Sequence, residues 1–351
     1  MKQIEHLQFF TLTLTIRSPL CVGSGFSYPK KEYLFNPKTK MVSVVNRDAF
    51  IELLARKNLV DAYGHFILGP DKPLYSFLRN ECLLSSKEID GIVEYSLDAA
   101  DALTDGKPLR EIQAFQRDAY GRAYLPGSSV KGALRTAFLL HCIIKNRASS
   151  LGPFEEANYF NTLYYNKKNQ KDAVNDIFRG VQISDSAVIQ DKDMILAGKI
   201  DVFTDGSTNS INVCRECVRP NTKIHLSLTL DHSILQHRIT RNILLQSIAD
   251  YSSYYQDVYL QNFMLPIDDS NESYQNCLLL GSGAGFFSKT IMYPYYGKEQ
   301  GLEKTASYMK EKFPRGRHEQ DKRIGISPHT IKYTKYGGIL YPFGLCSMEI
   351  L

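Results

Sequence analysis

Three short segments carry residue types and spacings that could do chemistry. The first is Leu125-Pro126-Gly127-Ser128-Ser129-Val130-Lys131-Gly132-Ala133-Leu134-Arg135. Pro126-Gly127 ends a strand-like run, and Ser128 or Ser129 can cap the helix that follows. Val130, Ala133, Leu134, Ala137, Phe138 and His141 recur at helical spacing and mark a buried face. Lys131 and Arg135 stand four residues apart and share the other face. Cations this early in a helix oppose its dipole, by a few tenths to about 1 kcal/mol each. An anion held jointly by free backbone N–H groups and the two side chains would reverse that sign. A solvated helix face behind a serine cap accounts for the same residues.

The second segment is Gly281-Ser282-Gly283-Ala284-Gly285-Phe286, followed by Ser288, Lys289 and Thr290. Read from Gly283 to Thr290 it approaches a nucleotide P-loop, but Ser288 stands where that loop needs its second glycine. Closely spaced glycines still let backbone approach a phosphate chain, and a plain turn or bulge is the competing reading. The third segment, Lys312 to Lys335, holds seven basic residues, Arg315 and Arg317 among them, against Glu319 and Asp321. Its local excess equals the +5 of the whole chain, so the charge is concentrated there. Such a stretch fits a flexible arm or loop on a phosphate backbone.

Metal and catalytic patterns are sparse. Cys214-Arg215-Glu216-Cys217 is a lone C-x-x-C, with His225 and His232 as the nearest further ligands for zinc. No G-x-S-x-G elbow or H-E-x-x-H helix occurs, and no acid–base pair stands out. The expectation is no metal, no cofactor and no catalysis.

The elements that would position these segments follow from periodicity. Phe10, Leu12, Leu14 and Ile16 alternate with threonines as a half-buried strand, which runs into a turn at Val22-Gly23-Ser24-Gly25-Phe26. Asn46 can cap a helix with Phe50, Ile51, Leu53 and Leu54 on its apolar face. Ile224, Leu226, Leu228 and Leu230 echo the first strand, and a helical pattern follows through Ile234, Ile239, Leu244 and Ile248. This predicts an α+β protein of two units, residues 1–218 and 219–351, each an antiparallel sheet with helices on one face. Residues 158–176, polar and rich in Tyr, Asn and Lys, and residues 204–212, rich in Asp, Gly, Ser, Thr and Asn, read as long loops.

With 43% hydrophobic residues the chain has ample core material, which argues against disorder. Seven scattered cysteines and a polar start predict free thiols in a cytoplasmic, reducing setting. No apolar run is long enough to span a membrane, so no membrane partner is expected.

Pro126 to Thr136 resembles the P-G-S-S-[LIV]-K-G-[AV]-[LIF]-R motif of the RAMP superfamily of CRISPR-associated proteins. Gly281 to Phe286 resembles the glycine-rich loop of that superfamily, and the opening strand with Val22 to Gly25 resembles its start. The close, Lys332 to Gly344, resembles the tail of one branch, the largest RAMP subunit of the type III-A (Csm) effector complex. The resemblance implies two ferredoxin-like, RRM-type domains and a subunit that caps the crRNA 3′ end. Its implied partners are crRNA, the last repeated backbone subunit of the Csm complex, and cellular nucleases linked to crRNA maturation. The implied RNA contacts are Gly127, Ser128, Ser129, Lys131 and Arg135, with Gly23, Ser24, Gly25, Gly281, Gly283, Gly285, Lys289, Arg315 and Arg317 beside them. The backbone subunit that cuts target RNA carries an aspartate after its first glycine turn. Here Gly25 to Arg47 contains Glu32 and no aspartate, which argues for holding RNA, not cutting it. Two other readings remain: a metal-independent crRNA-processing endoribonuclease, and a structural cap that contacts proteins alone.

Overall fold

The structure is a computed structural model that describes residues 6–103, 109, 111–145, 154–161, 173–265 and 274–351. Fourteen strands are present among these residues. In chain order they are β1 (Leu7–Ile16), β2 (Gly23–Tyr28), β3 (Tyr33–Asn36), β4 (Met41–Val45), β5 (Val93–Asp98), β6 (Ile112–Phe115) and β7 (Val181–Ile183). Then come β8 (Met194–Phe203), β9 (Thr208–Val218), β10 (Lys223–Asp231), β11 (Cys277–Leu279), β12 (Thr330–Tyr336), β13 (Ile339–Pro342) and β14 (Leu345–Ile350).

They form two sheets. The five-stranded sheet has the order β11-β14-β1-β10-β7 and is antiparallel throughout. The nine-stranded sheet runs β2-β6-β9-β8-β5-β4-β3, with β12 on β8 and β13 on β12. The expectation of purely antiparallel sheets fails in the larger one, where β5 meets β8 and β6 meets β9 in parallel. The long connections that carry the helices allow those parallel contacts. The α+β class stands. The division after residue 218 falls between β9 and β10, and both sheets take strands from either side of it.

The two alternating strands read from the sequence are neighbours. β1 and β10 pair with Leu12 opposite Leu226 and Leu14 opposite Ile224. Leu12, Leu14, Ile16, Leu228 and Leu230 are fully buried, each contributing about 1.5–3 kcal/mol. Over this face pack the helices Gly127–Lys145 and Arg241–Tyr254, through Val130, Leu134, Ala137, Leu244 and Ile248. His141 Nδ1 lies 2.6 Å from Asp250 Oδ2 between the two helices. The helical stretch after β10 is broken: His232–Leu235 ends at Gln236, whose backbone is left-handed, and Thr240 caps the next helix by accepting from Ile243 N.

A second, smaller core lies under the helices that follow β4. Asn46 caps the helix Arg47–Arg56 by accepting from Ala49 N, as its sequence predicts. Phe50, Leu53 and Leu54 face Phe66, Phe77 and Leu78, whereas Ile51 is exposed and does not join that face. The polar stretch 204–212 is a hairpin instead of a long loop. Phe203 and Ser207 close the turn between β8 and β9, with Asp205 accepting from Ser207 N. Of the stretch 158–176, residues 162–172 lie outside the described residues.

Gly127 shows how tightly the central helix is set. A Cβ there would collide with the carbonyl oxygens of Ile183 and Ser184, whereas Gly132, five residues on, faces open space. Gly127→Ala should destabilise the protein by about 3 kcal/mol or more through that collision. Gly132→Ala should stabilise it by about 0.5–1 kcal/mol, because alanine suits a helix interior better than glycine. Urea unfolding of the two variants reads the opposite signs.

Candidate nucleic-acid interface

The helix of the central motif begins at Gly127, so Ser128 and Ser129 lie inside its first turn and neither is its cap. The acceptor at its N-terminus is a residue the sequence reading missed. Asp185 Oδ1 accepts from Gly127 N at 2.8 Å, while Ser186 Oγ accepts from Leu125 N at 2.9 Å. An internal carboxylate therefore takes part of the position suggested for an external anion, and the dipole favours it. Nothing local signalled this, because Asp185 lies 58 residues away in the chain.

Lys131 and Arg135 share a face but not a fate. Arg135 donates from Nε and Nη2 to Glu156 Oε1 at 3.0 and 2.8 Å, and its Nη1 pairs with Asp176 Oδ2 at 2.6 Å. Its guanidinium also lies 3.6 Å over the Phe160 ring. It is a structural clamp. Lys131 is half-buried and has no ion pair among the described residues. Burial lowers its pKa, Asp176 opposes that, and Arg135 adds to it.

The two glycine segments meet. Gly281 has φ 86° and backs directly onto the Cys21 carbonyl, where a side chain would not fit. Ser282 N donates to the same oxygen at 2.8 Å. Gly283 lies against the Phe343 ring and Gly285 against the methylenes of Lys332. A Cβ on Gly23 would stand 3.6 Å from Ser282 Oγ, so the first glycine segment runs alongside the second. That first segment is not the turn its sequence suggests. It is β2, paired with β6 across a bulge between Gly23 and Ser27. A bulge re-aims side chains and leaves backbone groups unpaired. Ser24 Oγ accepts from Phe26 N, Gly25 opens to solvent, and Phe26 is 45% exposed beside it. The Arg47 guanidinium lies 5.5 Å over the Phe26 ring and Tyr28 meets it edge-on at 5.2 Å, an exposed aromatic that the sequence reading did not single out. Lys289 is exposed at the far end of the second segment.

The basic segment is not a flexible arm. Its chain is drawn together by Asp321, whose carboxylate is fully buried. His318 Nδ1 lies 2.9 Å and Ser327 Oγ 2.6 Å from one oxygen, and His329 Nδ1 lies 2.6 Å from the other. Lys322 pairs with Glu303 and Lys332 with Asp201, which neutralises part of the charge. Arg315 and Arg317 remain exposed. His318, Asp321 and His329 are close enough to share an ion, but their spacings are hydrogen-bond lengths that already satisfy the carboxylate. Cys214 and Cys217 project from opposite faces of β9, and His225 and His232 bond to Thr13 and Gln8, so the four do not gather.

The family whose model matches the chain is described as the RAMP superfamily, over residues 13–303. A protein of Mycobacterium tuberculosis named "CRISPR system Cms protein Csm5" is 27% identical over 384 residues, covering 98% of both chains. A protein of the same name from Streptococcus thermophilus is 28% identical, covering 80% of both. Among solved structures, a chain of the "Csm-crRNA-target RNA ternary complex in type III-A CRISPR-Cas system" superposes with a TM-score of 0.67 at 16% identity, covering 97% of this chain and all of that one. The "Crystal structure of T.onnurineus Csm5" superposes with a TM-score of 0.62 at 16% identity, covering 95% and 99%. These two likenesses establish the shared fold.

The Asp321 hub gives a stability prediction. Burial raises its pKa, but the hydrogen bonds from His329, Ser327 and His318 outweigh burial and hold the carboxyl below its ordinary value. Its stabilising contribution is therefore complete above the unfolded value of about 3.9 and is lost as pH falls through the lower folded value. Asp321→Asn should destabilise the protein by about 3 kcal/mol at neutral pH. It should also speed tryptic cleavage after Arg315 and Arg317 at neutral pH, while urea unfolding shows the wild-type advantage shrinking as pH falls below about 3.9.

Proposed function

The chain belongs to the RAMP superfamily, and from that premise we propose that it is a crRNA-binding subunit of a type III-A Csm complex. In this reading it caps the crRNA 3′ end, supports 3′ maturation and does not itself cut RNA. The observation that carries the proposal is the extent of the likeness: the Mycobacterium tuberculosis relative named Csm5 aligns along 98% of its own length and of this chain. The crRNA, the last repeated backbone subunit and cellular nucleases are the proposed partners.

The geometry supports the reading with a surface. The bulged Gly23-Ser24-Gly25 stretch runs beside Gly281-Ser282-Gly283, bringing exposed backbone and the exposed Phe26 ring together. Glycine backbone suits close approach to phosphates, and a partly exposed ring with Arg47 over it suits an unstacked base beside a phosphate. Ser128, Ser129, Lys131, Lys289, Arg315 and Arg317 are the side chains proposed to follow the RNA backbone. Glu32, which stands in the stretch where the cutting subunit has its aspartate, is paired with Arg47 at 3.2 Å.

The proposal separates two neighbours on one helix face. Lys131→Ala should weaken crRNA retention and lower the log–log salt slope by about 0.7, one single-strand phosphate contact, with unfolding unchanged. Arg135→Ala should instead destabilise the fold by about 1–2 kcal/mol, since it removes two ion pairs and an aromatic contact. Retention of crRNA in the assembled complex over a salt series measures the first, and urea unfolding the second. Undiminished retention with Lys131→Ala would count against RNA contact at this helix. Defined cleavage of a repeat RNA by the purified chain would replace the proposal with the endoribonuclease reading.

A further inference from the structure

Beneath the glycine-rich loop lies a group of three cations, Lys199, Arg215 and Lys332, of which only Lys332 has a carboxylate partner among the described residues. Ala197, Lys199 and Asp201 alternate along one face of β8. Arg215 of β9 pairs with Ala197, and Lys332 of β12 pairs with Asp201, so both project from the same face. Thr334 follows two residues after Lys332. An apolar patch of Cys21, Ile195, Ala197, Cys217 and Phe343 adjoins them. The loop rests on this assembly, with Gly281 on the Cys21 carbonyl, Gly283 on the Phe343 ring and Gly285 on Lys332.

The charges there do not balance. Asp201 is engaged by Lys332 Nζ at 2.6 Å. Glu216, the next acid along β9, faces the other way and accepts from Tyr95 OH at 2.7 Å and Phe115 N at 2.9 Å. Arg215 is only 8% exposed, and its Nε and Nη1 have no hydrogen-bond partner among the described residues. The Thr334 hydroxyl is fully buried and equally unpartnered. Burial pushes the Lys199 ammonium down to about 8, with Lys332 and Arg215 adding to the effect and Asp201 opposing it. A buried guanidinium with two idle donors is unfavourable in the free protein. Every idle group here can donate, which matches a ligand rich in acceptor oxygens and carrying negative charge.

We propose that Arg215, Lys199 and Thr334 form an anion site under the glycine-rich loop that holds one phosphodiester of bound RNA. The inference rests on the RNA-binding reading above and gives it a second contact, on the sheet, apart from Lys131 on the helix. The exposed bulge at Gly23 to Gly25 beside Ser282 offers the strand an approach to the loop.

The test uses the full chain with Arg215→Met, Lys199→Gln and Thr334→Val, a labelled single-stranded RNA of mixed sequence, and inorganic phosphate. Arg215→Met should raise Tm without RNA, because it removes an unneutralised buried charge, yet weaken RNA binding about tenfold. Lys199→Gln should lower the log–log salt slope by about 0.7. Thr334→Val should weaken RNA binding without lowering Tm. A merely structural arginine would lower Tm and leave RNA affinity alone, which overturns the proposal. Should Arg215→Met fail to fold, the Lys199 and Thr334 variants decide by the same affinities and slopes. Wild-type RNA binding matched by all three variants overturns this site while leaving the RNA-binding reading intact. Absence of RNA binding by the wild type overturns both. Phosphate that raises the Tm of wild type but not of Arg215→Met, with RNA affinity equal in the two, assigns the site to free phosphate instead.

Discussion

The pairing of β1 with β10 is the constraint on which the rest depends. It closes a chain segment of more than two hundred residues, and the buried leucines of both strands offset the entropy of doing so. Once β1 is fixed there, the residues leaving it must cross to the second sheet. Ser18 donates to Pro342 O at 2.6 Å and accepts from Leu345 N at 2.8 Å. Leu20 bridges to Val218, and the Pro19 carbonyl accepts from Gly344 N. The Cys21 carbonyl then becomes the surface on which the glycine-rich loop is seated. The loop's position follows from strand pairing more than from the loop itself.

Electrostatics sorts the candidate residues into those the fold uses and those it leaves open. Asp321 and Glu216 are fully buried acids with several donors each, and Arg135 is a cation with two carboxylates and a ring. Such groups are internally complete and serve the fold. Among the described residues Lys131, Lys199 and Arg215 have no carboxylate partner, although they are at least half-buried and Arg215 lies over the Phe343 ring. An incomplete buried charge is costly, so its presence points to a ligand, whereas an exposed one such as Arg315 says little.

Much was legible in advance where the physics is local. The alternation of Leu12, Leu14 and Ile16 gave a strand, and Asn46 before Phe50 gave a capped helix. The glycines at 127, 281, 283 and 285 read as a turn and as an approach to a phosphate chain, whereas the close contacts they make are with Ile183, Ser184, Cys21, Phe343 and Lys332 of the protein itself. The basic segment was misread as an arm because seven cations in sequence look mobile until Asp321 is seen to collect His318, Ser327 and His329. Thr208 to Asn212 looked like loop because polar composition does not reveal a strand whose partner, β8, completes it.

The sequence by itself determined the α+β class, the main elements and the family resemblance, because period, capping and motif spacing act over a few residues. Only the tertiary structure decided that Arg135 is a clamp, that Asp185 sits at the central helix start, that the two glycine segments adjoin, and that Arg215 Nε and Nη1 lie beneath them with no partner among the described residues. Those outcomes depend on partners tens to hundreds of residues away, and on burial, which sets the strength of every charge once the chain has closed.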